Sequence, residues 1–283
     1  IFALNLNLII MSIGIIGNGF VGEAMAFAFS PSVETKVYDL DPLKSTNSLE
    51  ETLDSNFVFI CLPTPMKLEG EQDLSYIINF FKNNKTSDKP IYIIKSTVLP
   101  GTTKSLSDKY PNLKIVFSPE FLTERTAKLD ILTQSRVIIG SDNDKLSNSV
   151  EKLFNKRFKN RNIIKTDSIT AEFIKYMNNN FFATKVSLMN EFYRLSKVLG
   201  VDWDDALNGF VSDQRIGDSH LNVPGPDGKF GFGGSCFPKD INAMISFANK
   251  KNIKMNVLEA AWKTNLEVRP EEDWKELKGR AVS

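Results

Sequence analysis

The sequence predicts an α/β fold in which a doubly wound, Rossmann-type parallel sheet is followed by an all-helical domain with one long helix. In the first half of the chain, short apolar runs alternate with longer amphipathic or polar segments, a pattern typical of a parallel sheet covered by helices on both faces. A G-x-G-x-x-G motif follows the first apolar run directly. After Asp167, apolar residues recur at helical spacing as far as Gly200. The domain boundary is therefore predicted near residue 167.

The predicted strands are the apolar runs that turn residues bound on both sides. In chain order they are SIGIIG, TKVYD, FVFICL, IYIIKS, KIVFS, RVIIG and NIIKT. The segments between them are long enough for helices or crossovers, and the alternation implies that the strands are parallel. These elements define a predicted Rossmann domain over residues 11–167.

The helical pattern after Asp167 predicts a single long helix. Ser168 or Thr170 could cap its start, with Glu172 nearby, and Gly200 could end it. A helix of this length usually packs against another long helix or another subunit, so we expect a homodimer. A loop rich in glycine and proline and two further helical stretches follow, which completes a predicted helical domain over residues 168–283.

The composition excludes several classes of protein. Hydrophobic residues make up 42% and charged residues 24% of the chain, the balance of a globular protein rather than a disordered one. The net charge of +1 gives no global attraction to nucleic acid or to an anionic membrane, so neither is an expected partner. The two cysteines argue against a secreted disulfide scaffold and favour the reducing cytoplasm.

Residues 1–10 are apolar but too short to span a bilayer, and no basic segment precedes them. We interpret them as an extension ahead of a natural start at Met11. A poorly cleaved signal sequence is the alternative interpretation.

The glycine motif predicts a dinucleotide site. Its first glycine permits the tight turn, its second lets the backbone approach a pyrophosphate, and its third allows close helix–strand packing. The next strand ends in Asp39, at the spacing where an acid binds the ribose diol and disfavours a 2′-phosphate. NAD is therefore preferred over NADP, and a glycine-rich turn without a ligand is the alternative. The motif residues are Gly17, Asn18, Gly19, Phe20, Val21 and Gly22.

Two further strand ends are expected to face the cofactor, because ligands of open α/β sheets bind at the carboxyl ends of the strands. They are CLPTP and KSTVLPGTT, and each combines a hydroxyl with a proline-shaped turn. Cys61, at the start of the first, is interpreted as a buried strand cysteine.

The stretch GFGGSCFPKD, Gly231 to Asp240, predicts a nucleophile. Its glycines allow close approach of the backbone to a ligand and free the loop to wrap a sugar. Lys239 and Asp240 lie one helical turn beyond Cys236, and a nearby ammonium stabilises a thiolate. A buried structural cysteine is the alternative.

These segments together resemble the UDP-glucose/GDP-mannose dehydrogenase family. The segments that carry the resemblance are GNGFVG, CLPTP, STVLPGTT, SPEFLTERTA, EFIKYMNNNF, DQRIG and GFGGSCFPKD, in family order, over roughly residues 12–270. DQRIG with GFGGSC favours UDP-glucose over GDP-mannose. The resemblance implies NAD-dependent oxidation of a primary alcohol to a carboxylate.

The resemblance also implies roles for individual residues. Cys236 would capture the aldehyde, and Glu120 would activate the water that hydrolyses the thioester. Lys175 would stabilise oxyanions, while Asp240 and Thr97 would hold a water that helps deprotonate the alcohol. The implied catalytic set is Cys236, Lys175, Asp240, Glu120, Asn179 and Thr97. Beyond the motif and Asp39, the implied cofactor-binding set is Lys44, Pro63, Thr64, Pro65, Ser96, Thr97, Glu124 and Lys239. The implied substrate-binding set is Glu120, Phe121, Leu122, Glu124, Lys175, Asn179, Arg215, Phe230, Gly231, Phe232, Gly233 and Gly234.

Simpler interpretations exist for single residues. Lys175 could be a solvated helix lysine. Glu120 and Glu124 could be surface acids, or Glu124 a salt-bridge partner of Arg125. Arg215, in DQRIG, resembles a family arginine that reaches across a dimer interface. The single histidine, His220, lies in an insertion-like stretch and is expected to be structural or solvated, with contact to the sugar or phosphate as the alternative. A single histidine also argues against a histidine-rich metal site.

Family members of full length carry a third, C-terminal domain that closes over the nucleotide, and this sequence is expected to lack it. Two other functions remain open. One is the same chemistry on GDP-mannose or an N-acetylated UDP-hexosamine. The other is a non-catalytic dimer that senses NAD or a nucleotide sugar, against which the set of Cys236, Lys175, Asn179 and Asp240 argues.

Overall fold

The computed structural model describes residues 11–83 and 87–283, so the predicted extension over residues 1–10 lies outside the described residues. The strands are β1 (Ser12–Ile16), β2 (Glu34–Tyr38), β3 (Phe57–Ile60), β4 (Ile91–Ile94), β5 (Lys114–Phe117), β6 (Arg136–Gly140) and β7 (Asn162–Thr166). The helices are α1 (Phe20–Phe29), α2 (Leu49–Leu53), α3 (Ser75–Asn83), α4 (Thr102–Lys109), α5 (Ala127–Thr133), α6 (Asp144–Arg157), α7 (Ser168–Leu199), α8 (Trp203–Val211), α9 (Phe237–Asn249) and α10 (Asn256–Val268). Each predicted strand is present.

The strands form a seven-stranded sheet in the order β2-β1-β3-β4-β5-β6-β7. All neighbours are parallel except β5 and β6, which pair antiparallel through the single pair Phe117 and Gly140. The prediction of a parallel sheet is wrong at this pair, because a buried apolar run looks the same whichever way its strand points. Strand β1 lies between β2 on one side and β3 on the other, so the strand order reverses direction at β1. The carboxyl ends of β1 and β3 thus flank a topological switch point, where ligands of such sheets bind.

An aromatic cluster holds the helices onto the sheet. Phe29 of α1 lies 5.7 Å from both Phe59 of β3 and Phe154 of α6, measured between ring centroids. All three side chains are essentially inaccessible to solvent. Burial of one such side chain contributes about 1.5–3 kcal/mol, so this cluster fixes α1, and the glycine turn before it, against the strands.

The long predicted helix is present as α7, but its cap differs from the prediction. The Asp167 side chain accepts hydrogen bonds from the Thr170 amide at 2.8 Å and the Thr170 hydroxyl at 2.6 Å. Asp167 is therefore the capping residue, and the expectation that Ser168 or Thr170 caps the helix is wrong. A carboxylate one position earlier can bond both groups of Thr170, which a hydroxyl within the helix cannot. The helix ends at Leu199, before Gly200 with a φ of 68°.

The chain divides into two compact units. The first comprises residues up to Pro63 together with Ser75–Lys175, and the second comprises Thr64–Leu74 and Tyr176–Ser283. This division falls inside α7, beyond the predicted boundary near residue 167, which stays a prediction. The sequence pattern gave no sign that Thr64–Leu74 belongs with the later residues.

The second unit joins Thr64–Leu74 to the end of the chain through main-chain hydrogen bonds. The Met66 amide donates to the Ala281 carbonyl at 2.9 Å, and the Ser283 amide donates to the Met66 carbonyl at 2.9 Å. Met66 and Ala281 pack with Trp274, whose side chain is fully buried. Within residues 11–83 and 87–283, no helix is both long and apolar enough to cross a membrane.

Candidate functional site

In the glycine turn between β1 and α1, the surroundings of the three glycines agree with the role predicted for each. Gly17 has a φ of 91°, and a Cβ there would lie 2.7 Å from the Cys61 carbonyl oxygen. A Cβ on Gly22 would lie 2.0 Å from the Gly17 carbonyl oxygen, whereas one on Gly19 would meet nothing within 4 Å. Packing requires the outer two glycines, and the middle one leaves the backbone open to a ligand.

The groups around this turn fit a bound dinucleotide. No side chain caps α1 at Gly19, so its first amides can bind an anion such as a pyrophosphate. Asp39 directly follows β2, and its carboxylate accepts hydrogen bonds from the amides of Asn18 at 2.6 Å and Asp41 at 2.9 Å. Each carboxylate oxygen has a second lone pair, so Asp39 can still accept hydroxyls of a ribose.

The ends of β3 and β4 are tied together beside this turn. The Ser96 hydroxyl donates to the Leu62 carbonyl at 2.6 Å, and the neighbouring Thr97 is buried. Burial raises the pKa of the Cys61 thiol to about 12. Cys61 is therefore a neutral thiol at physiological pH, which suits a strand-end packing residue and not a nucleophile.

Glu120 and Lys175 form a buried ion pair within the first unit. The Lys175 ammonium donates to the Glu120 carbonyl at 2.6 Å and to its carboxylate at 3.1 Å. The second carboxylate oxygen accepts from the Leu122 amide at 2.5 Å. Lys175 is 3% and Glu120 7% exposed, so the interpretation of either as a surface residue is wrong. The predicted substrate residue Phe121 also belongs here, with the Lys175 ammonium 5.2 Å from its ring centroid.

A second buried lysine supports the same segment. The Lys95 ammonium donates to the Pro119 carbonyl at 2.9 Å and lies 5.8 Å from the Phe154 ring centroid. Burial lowers the pKa of Lys95 to about 8. The sequence interpretation did not include Lys95, although a lysine that ends an apolar strand was a usable signal.

Cys236 is the N-cap residue of α9 in the second unit, partly buried, and its carbonyl accepts from the Asp240 amide at 3.0 Å. Its sulfur lies 3.9 Å from the Ser235 hydroxyl. The partial positive charge of a helix N-terminus stabilises a thiolate over a thiol. The local backbone thus places the predicted nucleophile at the N-terminus of α9.

Asp240 joins two other predicted residues. Its carboxylate accepts from the Asn179 side-chain amide at 2.6 Å and from the Lys239 ammonium at 2.5 Å. Asp240 is 1% exposed. Such a charge is costly to bury unless it is paired and hydrogen-bonded, and these two contacts offset that cost.

The glycine loop before Cys236 is held by side chains that the sequence interpretation missed. The Phe232 amide donates to the Asn265 side chain at 2.7 Å, and Asn265 donates back to the Phe232 carbonyl at 3.0 Å. A Cβ on Gly231 would lie 2.4 Å from that same Asn265 side chain, and one on Gly233 would lie 2.5 Å from the Arg269 guanidinium. The space beside these two glycines is therefore filled by protein side chains, whereas we expected it to be open to a ligand. That expectation survives at Gly234, where a Cβ would meet nothing within 4 Å.

Arg269 anchors the same loop through charge. Its guanidinium bonds Asp273 at 2.6 Å, Asp227 at 2.8 Å and the Phe230 carbonyl at 3.2 Å. The hydrogen bond from Arg269 lowers the pKa of Asp273 to about 2. Nothing local in the sequence links Asn265 or Arg269 to the loop, because the connection exists only after α10 has packed.

Several predicted residues lie outside these clusters. Arg215 is exposed and pairs with Asp213 at 2.6 Å. Glu124 is also exposed. The side chains of Lys44 and Phe230 are exposed too, but the Lys44 carbonyl accepts from the Asn18 side-chain amide at 2.7 Å, and the Phe230 carbonyl is bonded by Arg269. The ring of His220 stacks on Phe182 with centroids 4.2 Å apart, a packing role of the predicted kind. The remaining predicted positions, Pro63, Thr64 and Pro65, follow β3 where the chain passes from the first unit to the second.

The chain matches a known family in two segments. Residues 32–158 match the NAD binding domain of the UDP-glucose/GDP-mannose dehydrogenase family, and residues 169–267 match its central domain. The predicted NAD-binding fold is thereby confirmed.

Individual relatives agree with this match. The chain is 36% identical over 244 residues to the UDP-glucose 6-dehydrogenase of Rickettsia bellii, covering 82% of this chain and 54% of that protein. It is 31% identical over 310 residues to the UDP-glucose 6-dehydrogenase of Haloferax volcanii, covering 90% of this chain and 69% of that protein. A solved UDP-glucose dehydrogenase structure from Pyrobaculum islandicum superposes with a TM-score of 0.79 at 26% identity, covering 91% of this chain and 68% of that one. The chain thus spans between about half and two thirds of the length of these proteins.

Proposed function

Because the chain belongs to the UDP-glucose/GDP-mannose dehydrogenase family, we propose that it catalyses the NAD-dependent, four-electron oxidation of UDP-glucose to UDP-glucuronate through a thioester on Cys236. The single observation that carries this proposal is the surroundings of Cys236, a cysteine at a helix N-terminus one turn before the buried Lys239–Asp240 pair. A pure binding module has no need of such a thiol.

NAD would be held by the turn Gly17–Gly22, with the pyrophosphate at the first amides of α1 and a ribose diol at Asp39. Ser96 and Thr97, at the end of β4, and Lys44 would complete its environment. When bound, NAD supplies a hydride acceptor. The carboxylate of Asp39 would repel a 2′-phosphate, which supports preference for NAD over NADP.

The chain's own groups would carry the rest of the chemistry. Removal of a hydride and a proton from the C6 alcohol gives an aldehyde, and Asp240 with Thr97 would hold a water that takes the proton. The Cys236 thiolate then adds to the aldehyde carbon to give a thiohemiacetal. Loss of the hydroxyl proton and of a second hydride, for which a second NAD would be the acceptor, leaves a thioester. Water cleaves the C–S bond, which releases the carboxylate and returns the thiol.

The buried Glu120–Lys175 pair supplies two functions that this sequence of steps needs. Lys175 would stabilise the oxyanions on the substrate, because a preorganised ammonium in a water-poor site acts strongly on developing negative charge. Glu120 would activate the water that hydrolyses the thioester. The Leu122 amide and Lys175 fix its carboxylate in one orientation, as a general base requires.

The proposal is tested by counting NADH formed per sugar from UDP-glucose, GDP-mannose and UDP-N-acetylglucosamine. Two NADH per UDP-glucose are expected. One NADH would contradict the thioester route, and two NADH from another sugar alone would contradict the substrate assignment. Binding of NAD with no turnover of any sugar would favour a sensing protein.

A homodimer through α7 is part of the proposal. Apolar side chains that are 43–65% exposed recur along this helix at intervals of three, four or seven residues, as on one helix face. They are Ile169, Phe173, Met177, Phe181, Leu188, Phe192 and Leu195. A contiguous apolar stripe of this kind marks an interface, and a second copy of the chain would cover it.

Sedimentation at micromolar concentration tests this assembly. The wild type should sediment as a dimer and Phe181→Glu as a monomer. Val257→Glu, at an exposed apolar position of α10, is the matched control and should remain dimeric. A monomeric wild type would contradict the proposed interface and leave Arg215 without a neighbouring site to serve.

We place the reaction in the cytoplasm. Neither Cys61 nor Cys236 takes part in a disulfide, and the proposed nucleophile acts as a reduced thiol, which a reducing compartment maintains.

A further inference from the structure

Helix α4 begins without a capping side chain of its own. Its N-cap position is Gly101, in the left-handed region with a φ of 97°, and no side chain there can accept from the first-turn amides. A buried amide left without an acceptor costs about 1–3 kcal/mol. Thr103, in this first turn, is 1% exposed. The acceptor must therefore come from a distant part of the chain.

Glu172 of α7 supplies that acceptor. One of its carboxylate oxygens accepts from the Gly101 amide at 2.6 Å and the other from the Thr103 amide at 2.8 Å. Glu172 is 0% exposed, and none of the ion pairs among the described residues includes it. Burial raises its pKa to about 7, in spite of the hydrogen bonds that act in the opposite direction. A buried, unpaired carboxylate is an expensive way to cap a helix, so stability alone does not account for it.

The contacts fix one end of the segment that carries Thr97. At the other end, the Ser96 hydroxyl is bonded to the Leu62 carbonyl at 2.6 Å. Thr97 lies between these fixed points and is 8% exposed. Glu172 also lies one helical turn before Lys175, so one rigid helix carries both side chains.

We infer that Glu172 is a positioning residue, a carboxylate clamp that holds the segment Ser96–Thr103 so that Thr97 is placed for the oxidation. The inference rests on the proposed function. Glutamine has the same shape, but it presents one oxygen and one amino group, so one of the two amides would face a donor. Misplacement of a group by about 1 Å can cost a hundredfold in rate. Glu172→Gln should therefore lower kcat about tenfold to a hundredfold and leave KM for the sugar nearly unchanged.

A double-mutant cycle with Thr97→Ala separates positioning from a general structural role. If Glu172 acts through Thr97, Glu172→Gln should cost little further activity once Thr97 is alanine, since the two changes remove the same interaction. Independent, multiplicative losses would overturn the inference. Glu51→Gln is the matched control, because Glu51 also bonds backbone at a helix start, α2 in the same unit, at 2.8 Å from the Ser48 amide. It should leave kcat unchanged.

Amide hydrogen exchange tests the clamp without turnover. Glu172→Gln should speed exchange within Ser96–Thr103 while the rest of the sheet stays protected. Unchanged exchange in this segment would overturn the inference, whatever the activity. If the wild type oxidises no nucleotide sugar, the proposed function fails, and the exchange experiment still decides whether the clamp exists. If Glu172→Gln does not fold, Glu172→Asp serves both tests, because it keeps the charge but reaches only one of the amides.

Discussion

The two glycine-rich segments of this chain use glycine for different purposes. In the turn Gly17–Gly22, the outer glycines relieve contacts with neighbouring backbone, and Gly19 is open. In the loop Gly231–Gly234, two glycines admit the side chains of Asn265 and Arg269. The first segment is shaped by its own strand and helix, and the second by residues that are distant in sequence. A motif of the first kind can be interpreted locally, whereas one of the second kind needs the folded unit.

The largest effect should come from substitution of Cys236, which directly follows the second loop and Ser235 in the sequence. Cys236→Ser should abolish net formation of the acid, because a hydroxyl lacks thiolate reactivity at neutral pH. NAD binding at Gly17–Gly22 should remain nearly intact. The measurements are NADH yield with saturating UDP-glucose and NAD affinity by fluorescence. Full four-electron turnover by the variant would refute the thioester intermediate, and with it the proposal that the second loop positions a nucleophile.

Removal of the general base should be the next largest effect. Glu120→Gln should slow thioester hydrolysis about a hundredfold to ten-thousandfold, more than it slows the hydride steps. An acyl-enzyme should then accumulate, visible by intact mass as one sugar-acid adduct per chain. The same adduct should be absent from Glu120→Gln that also carries Cys236→Ser. Equal slowing of all steps without an adduct would assign Glu120 to the hydride chemistry.

In the first unit, too, a residue distant in sequence holds a backbone segment, since Glu172 of α7 caps α4. The pH dependence of the free energy of unfolding should reveal this contact. The pKa of folded Glu172, about 7, lies above its ordinary value of 4.5. The folded state therefore binds this proton more tightly, and the associated stability is complete below about pH 4.5 and lost as the pH rises through about 7. The free energy of unfolding of the wild type should fall relative to Glu172→Gln between pH 5 and 8, by on the order of 3 kcal/mol.

Urea denaturation of both proteins at several pH values measures this difference. Glu51→Gln is the control, because hydrogen bonds from Ser48 hold the pKa of Glu51 below its usual range, so its contribution has the opposite sign. If the free energies of unfolding of wild type and Glu172→Gln changed with pH in parallel, the pKa of Glu172 would not be raised in the folded state.

A pair of equivalent substitutions tests the two glycine segments directly. Gly231→Ala should lower the free energy of unfolding by about 1–3 kcal/mol, because its φ of 64° and the Asn265 side chain both oppose a Cβ. Gly19→Ala should leave stability nearly unchanged and weaken NAD binding, since its Cβ would occupy the open approach. Thermal unfolding and NAD titration of both variants provide the measurements. Loss of stability in Gly19→Ala with normal NAD affinity would reverse the assigned roles.

The smallest expected effect is at Asp39. Asp39→Ala should weaken NAD binding about tenfold, the loss of one or two charge-assisted hydrogen bonds, and should reduce discrimination against NADP. Comparison of kcat/KM for the two cofactors in wild type and variant checks this. Equal use of both cofactors by the wild type would contradict the role given to Asp39.

The sequence was sufficient for most of the fold because its signals are local. The seven apolar runs, the glycine turn and Asp39 lie where the pattern predicts them. The antiparallel pairing of β5 with β6 could not be predicted, since a fully buried strand carries no sign of its direction. The cap of α7 was misassigned because Asp167, Ser168 and Thr170 are all good capping residues.

Sequence reasoning about the site included the groups that the motif itself contains and missed the supporting groups whose contacts depend on packing. Cys236, Lys239 and Asp240 are close in sequence, so their proximity follows from one helical turn. Asn265, Arg269 and Glu172 act on backbone that is distant in sequence, and their residue types alone do not distinguish them from surface polar residues.

The hydrogen bonds between Met66 and the end of the chain have a consequence for synthesis. Met66 leaves the ribosome well before its partners Trp274 and Ala281, which lie about 200 residues later in the sequence. This small core therefore cannot close until residues 274–281 have been made, and Thr64–Leu74 must wait for them while the strands of the first unit are already complete. A fragment of residues 176–283 would lack one wall of its core, and an added peptide of residues 64–74 should complement it. Closure of this late contact would then set the moment at which the second unit becomes resistant to proteolysis.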